Sequence, residues 1–466
     1  MAKSRPPAQD DGYQTTTAPE EPAMSLCHLP LRLTSAFARV GACLDCRSAL
    51  HVPVLLLGIL LAEGRRTCTS WFRAGGITDD FRPAYNTIWA IGKRADRVAS
   101  ALLPALPPLL RGNRLWAAID DTPTSRWGPC IEGAGIHHNP NPGPAGEKYV
   151  YGHIWVTLAA LVKHPSHGTR ALPLRNELYV RAATIATMEA DRRVPFRTKL
   201  AMAAQEVHWL CVWAPRDCAE VWIAVDGGYA KRPFLRAVKQ EAKKVVVVSR
   251  LPKNAALFSL PEEPPPGRRG RKPIYGKERI KLHLRAGQTR GWQAVVCVQY
   301  NKSVTKTIKT FLATWRPAGG VIRVVLVKEE DRWLPYFSTE PTATAEEILE
   351  GMADRGALEQ TNKDVKEVWG AAEQQVRNLH ANVGCFNLAG WRYSLVETWA
   401  WDKPDEELVD RANSPWDHAP RRPSHQDKRK ALQREVLRGE INEVLAGELD
   451  REKIRALAER LLLLAA

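Results

Sequence analysis

Two short apolar runs, each delivering a carboxylate, constrain this chain most. Leu115-Trp116-Ala117-Ala118-Ile119 is a β-prone run that stops on Asp120-Asp121-Thr122. Glu220-Val221-Trp222-Ile223-Ala224-Val225 is apolar after its first residue and stops on Asp226. In an α/β sheet the ends of two such strands can be neighbours, and ligands gather at the carboxyl ends of the strands. Two carboxylates there repel unless a cation stands between them. Taken alone, the first run reads more simply as a strand closing in a solvated turn, because Asp is common at turns and caps. Partners elsewhere decide the matter.

The surrounding pattern supplies the sheet. From Leu29 to about Leu110 the periodicity is helical, with few β-branched runs. Within it, Gly64-Arg65-Arg66-Thr67-Cys68-Thr69-Ser70-Trp71 fits either a DNA-backbone contact at a helix start or a capped helix with Trp71 in the core. After Arg111 the pattern turns to strands: Leu115–Ile119, Tyr149–Val162 and Ala171–Val180. A helix over Phe196–Cys211, the strand over Glu220–Val225, a helix over Arg232–Lys243 and a strand over Lys244–Ser249 follow. The adjacent His137 and His138 point different ways in any extended segment, so they read as loop polarity rather than as a metal site.

Charge indicates the partner. The 466 residues carry a formal net charge of +16, and a polyanion, commonly nucleic acid, suits such a chain. The basic residues concentrate where the texture changes, between Pro252 and about Pro341. There a Pro/Gly linker runs into Arg268-Arg269-Gly270-Arg271-Lys272-Pro273, which resembles the basic hook that lies in a narrow minor groove. Strand-like stretches at Trp292–Tyr300, Val321–Val327 and Trp333–Ser338 make this a β-rich insertion.

A third acid follows the insertion. Thr344-Ala345-Glu346-Glu347 is a capping box opening a helix to about Trp369, which Gly351 and Gly356 are expected to bend or loosen. Arg355, Glu359, Lys363 and Lys366 form one polar stripe on it. A surface helix with ordinary ion pairs would look the same. A second, amphipathic helix over Trp391–Trp401 carries Glu397, the rival third acid, and a basic cluster (Arg421, Arg422, Lys428, Arg429, Lys430) opens the tail.

With Asp120, Asp226 and Glu359 in this order, the chain resembles the DDE (Asp-Asp-Glu) transposases of bacterial insertion sequences, in the cut-and-paste group with a β-rich insertion. Asp120-Asp121-Thr122 meets the first motif of that family and Asp226-Gly227-Gly228-Tyr229 the second. Arg355, Glu359 and Lys366 match the third in register, with Met352 where the family has tyrosine. The resemblance implies an α/β, RNase H-like catalytic core, a mixed five-stranded sheet with flanking helices, interrupted by the insertion and preceded by a helical domain. It implies that Asp120, Asp226 and Glu359 are catalytic and hold two Mg²⁺ (or Mn²⁺) ions, about 3.5–4 Å apart in such sites, for in-line phosphoryl transfer. Arg355 and Lys366 would contact transposon-end phosphates, and a tryptophan among Trp292, Trp315 and Trp333 could stack on a displaced base.

The expected organisation is a disordered tail (1–25), a helical DNA-binding domain (26–110) and the first part of the core (111–251). The basic insertion (252–341), the second part of the core (342–405) and a basic helical region (406–466) complete it. Lys363, Arg268, Arg269, Arg271, Lys272, Arg65 and Arg66 are the further expected DNA contacts. The expected partners are double-stranded DNA, as terminal inverted repeats and target, and a second copy of the chain. A non-cleaving DNA-binding descendant and a structure-specific nuclease of the same fold are the alternatives. Nine scattered cysteines and the absence of a leader or an apolar span predict a reduced, cytoplasmic, nucleoid-associated protein with no membrane contact.

Overall fold

The computed structural model describes residues 29–139, 148–263, 270–410 and 421–446, with isolated positions beyond. The expected tail 1–25 and two of the expected DNA contacts, Arg268 and Arg269, lie outside the described residues. Five helices come first: α1 (Leu31–Gly41), α2 (Cys46–Leu61), α3 (Cys68–Ala74), α4 (Arg82–Lys93) and α5 (Ala95–Leu102). Thr67 caps α3 by accepting from the Ser70 N–H at 3.2 Å, and Trp71 and Phe72 are fully buried. That segment is thus the capped helix with a core tryptophan.

The strands are β1 (Leu110–Arg111), β2 (Arg114–Ser125), β3 (Gly135–His138), β4 (Tyr149–His164), β5 (Gly168–Tyr179), β6 (Glu220–Val225) and β7 (Lys244–Arg250). Helices α6 (Ala182–Thr187), α7 (Lys199–Trp213) and α8 (Arg232–Val238) lie between them. Strands β2, β6 and β7 are parallel neighbours, and β4 and β5 continue the sheet antiparallel beyond β2. The expected order of strands and helices is therefore present. One expectation fails: β2 does not stop on its carboxylates. The antiparallel ladder with the 16-residue β4 holds it extended through Asp120, Asp121 and Thr122 to Ser125, which pairs with Gly152. It is the parallel partner that stops, at Val225 opposite Ile119.

The segment after β7 adds β8 (Leu257–Phe258), β9 (Arg279–Ile280), α9 (Leu282–Gly287), β10 (Gln293–Gln299), β11 (Lys302–Trp315), β12 (Gly320–Lys328) and β13 (Trp333–Ser338). These strands extend the same sheet. β13 pairs antiparallel with β7, with Ser338 opposite Val248, and β12 and β11 follow, so the described strands form a mixed sheet of 13 in which the expected β-rich segment continues the sheet beyond the five strands expected. The physical reason is edge protection, since β7 would otherwise leave a row of unpaired backbone groups.

Next come α10 (Ala345–Glu367), α11 (Leu379–Trp399), α12 (Asp405–Leu408) and α13 (His425–Ala446). The capping box at Thr344 and Glu347 is formed, and α10 runs unbroken through both glycines. Gly351 is there for close approach: a Cβ on it would stand 2.4 Å from the Trp116 ring. Gly351→Ala should therefore displace α10 and lower stability by about 1–3 kcal/mol, read as the urea midpoint. Helix α11 is not the expected amphipathic element, because it is buried on every side. Gly92 and Gly384 let α4 cross it so closely that a Cβ on Gly384 would meet the Ile88 carbonyl oxygen at 2.2 Å. Among the described residues no helix is long and apolar enough to cross a membrane, and the described cysteines are all free.

Candidate active site

The two faces of the sheet sort the acids. Leu115, Ala117 and Ile119 of β2, with Val221, Ile223 and Val225 of β6, share a core with α7 and α11. Trp116, Ala118, Trp222 and Ala224 face the other way, onto Ile348, Leu349 and Leu358 of α10. Side chains alternate along a strand, so Asp120 continues the α10 face and Asp121 the α7 face. Contacts agree with this parity. Arg355 of α10 donates from Nη2 to Asp120 Oδ2 at 2.8 Å, whereas Lys199 of α7 pairs with Asp121 Oδ2 at 2.5 Å. The Tyr229 hydroxyl donates to Asp121 Oδ1 at 3.2 Å.

Asp226 and Asp120 are the residues directly after the last pair of the β2–β6 ladder, Ile119–Val225. Burial raises the Asp120 carboxyl to about 6; Arg355 opposes the rise, while the Asp121 and Asp226 carboxylates add to it. The Asp121 N–H donates to Asp120 Oδ1 at 2.9 Å, and the Gly228 N–H to Asp226 Oδ2 at 3.3 Å.

Arg355 also reaches Glu359, Nη1 to Oε1 at 3.1 Å, so one guanidinium bridges the first and third acids. Glu359 is largely exposed, at 66%. Lys366 does not project into solvent; it is pulled in to donate to Thr122 Oγ1 at 2.9 Å, and burial lowers its pKa. Met352, at the place of the resembled motif's tyrosine, packs against the α10-side core. Lys363 is exposed beside Glu367.

The donor chemistry suits a hard divalent cation, because the carboxylate oxygens of Asp120 are hard donors and the Asp226 carboxylate is close enough to repel its charge. The closure of a cage is not present. Among the described residues no group of three or more His, Cys, Asp and Glu converges to hold an ion, and Arg355 stands between Asp120 and Glu359.

Glu397 is occupied elsewhere. Within α11 it pairs with Lys428 at 2.6 Å and His425 at 2.7 Å, with Arg170 at 3.6 Å. Arg429, beside Lys428 in the basic tail, is likewise interior, donating to Glu63 at 2.9 Å and to the Leu60 carbonyl oxygen at 3.2 Å. Of the remaining expected DNA contacts, Arg65, Arg271 and Lys272 are exposed, and Arg66 is half-buried with its Nη1 on the Gly64 carbonyl oxygen. Trp315 is core; Trp292 lies under Lys309 and Trp333 under Lys253. Sequence reasoning missed Lys199. The expected helix over Phe196–Cys211 contains it, and nothing in that pattern points to Asp121.

The profile of one protein family, described as DDE superfamily endonuclease, matches residues 39–316, more than half of the chain. The chain belongs to this family. The match takes in Asp120 and Asp226 of this DDE superfamily endonuclease and stops just after β11, before α10 and Glu359. No curated protein matches the chain.

Proposed function

We propose that this DDE superfamily endonuclease is a transposase that cleaves DNA at transposon ends and joins the freed strand to target DNA. The observation that supports the reading is Asp120 on β2, gripped by Arg355 of the helix that also bears Glu359, with Asp226 directly after the parallel neighbour β6. Asp120, Asp226 and Glu359 would hold Mg²⁺ or Mn²⁺, two ions in the full site, which when bound supplies Lewis-acid stabilisation of charge on the scissile phosphate.

The protein's own groups do the rest. Arg355 holds the Asp120 and Glu359 carboxylates in register, and its guanidinium is a cation on hand for a phosphate that displaces one of them. Lys199 and Tyr229 hold Asp121 on the opposite face, which leaves Asp120 as the carboxylate presented to the site. Lys366 ties α10 to Thr122, two residues beyond Asp120. The exposed Arg65, Lys363, Arg271 and Lys272 are proposed DNA contacts, and a dimer on paired ends is the proposed assembly.

Purified wild type and Glu359→Gln should be compared in Mg²⁺ on DNA carrying the terminal repeats. Cleavage should fall about a hundredfold or more, while binding in EDTA is retained. Equal cleavage by the variant would remove Glu359 from the site. A non-cleaving DNA-binding protein is the second reading, favoured by the guanidinium between Asp120 and Glu359. DNA binding without cleavage in either Mg²⁺ or Mn²⁺ would select it.

A further inference from the structure

The β10–β11 hairpin closes through two residues, Tyr300 and Asn301, between the paired Gln299 and Lys302. Both turn residues have positive φ, 51° and 63°. Such a turn favours Asn, Asp or Gly, and a bulky aromatic at its first position is strained. Folding gains little from the ring in return, since Tyr300 is 77% exposed. Strain retained at a position that adds little to the core points to use of the side chain.

Its location indicates the use. The ring lies over Gly356 of α10: a Cβ there would stand 3.4 Å from Cε1 and 3.6 Å from the hydroxyl oxygen. Gly356 follows Arg355 directly, and Glu359 is three residues on, on the same side of the helix. The hairpin is anchored rather than loose. The Val298 N–H donates to Glu350 Oε1 at 3.0 Å, Asn301 Nδ2 donates to the Ser166 carbonyl oxygen at 3.0 Å, and Lys163 pairs with Glu350 at 2.9 Å. An exposed phenol is thus fixed about one helical turn from the third acid.

We propose that Tyr300 binds DNA, its hydroxyl donating to a phosphodiester oxygen of the strand that runs along α10. The proposal rests on the reading of the site as one that acts on DNA. Tyrosine is suited to the task, combining a rigid ring with a hydroxyl that hydrogen-bonds phosphate without reading sequence.

The test is fluorescence anisotropy in EDTA with a fluorescein-labelled mixed-sequence duplex, using wild type, Tyr300→Phe and Tyr300→Asn of the full chain. Tyr300→Phe should bind about three- to tenfold more weakly, the worth of one hydrogen bond. Tyr300→Asn should bind at least as weakly while its urea midpoint stays level or rises, because Asn tolerates the left-handed turn. If both variants bind as tightly as wild type, Tyr300 is no contact and only this proposal falls. If Tyr300→Asn lowers the urea midpoint, the ring is a brace for α10 and the proposal is overturned. Wild type that fails to bind the duplex would overturn this proposal together with the reading on which it rests.

Discussion

Asp120→Asn should lower metal-dependent DNA cleavage about a thousandfold, since a lost ligand removes several kcal/mol of transition-state stabilisation at about 1.4 kcal/mol per factor of ten. Asp121→Asn, one residue on, should keep most of the activity. The two residues differ because strand parity sends Asp120 towards Arg355 and Asp121 towards Lys199 and Tyr229. Both variants keep the ladder to β4, which runs through backbone atoms, so neither should unfold the sheet. Initial rates on a labelled duplex in Mg²⁺, with unfolding midpoints alongside, measure the contrast. Similar losses in both variants would mean that the face of the strand does not select the ligand.

The largest effect on stability should come from Glu397→Gln. This carboxylate is fully buried with Lys428 and His425, and Arg170 stands nearby. Removing its charge leaves Lys428 buried and uncompensated, which costs about 3–5 kcal/mol. Glu397→Gln combined with Lys428→Met should recover most of that loss, because the pair is then removed together. The pH dependence has a definite sign. Burial raises the Glu397 pKa, but Lys428, the His425 hydrogen bond and Arg170 outweigh it, so the folded value lies well below 4.5. Its contribution is therefore present above the unfolded pKa and is lost as the pH falls through the folded one. Wild type should lose stability on acidification below about pH 4.5 more steeply than Glu397→Gln, as followed by urea midpoints across that range.

Much of the site was legible because short-range rules governed it. Strand β6 occupies the residues its apolar run marks, the capping box at Thr344 starts α10, and the spacing of Arg355 and Glu359 puts both on one helix face. Where long-range packing took over, reading failed. Asp120-Asp121-Thr122-Pro123-Thr124-Ser125 has turn composition, yet β4 keeps it extended. Strand β11 was not legible because its first half, Lys302-Ser303-Val304-Thr305-Lys306-Thr307, is polar and only its second half is core. Helix α11 loses amphipathic periodicity because neighbours cover every side. Lys428 and Arg429 belonged to the basic cluster that opens the tail, but their partners, Glu397 and Glu63, lie 31 and 366 positions back in the chain. No local pattern reports such distances.

The Glu397 network also sets a schedule for the nascent chain. The carboxylate in α11 leaves the ribosome before Lys428 and His425, and Arg355 is made 235 positions after the Asp120 it grips. A chain arrested before α13 would leave the buried Glu397 carboxylate with Arg170 alone, without Lys428 and His425. Helix α13 thus supplies buried partners that α11 needs, so the core around α11 is complete only once α13 has been made.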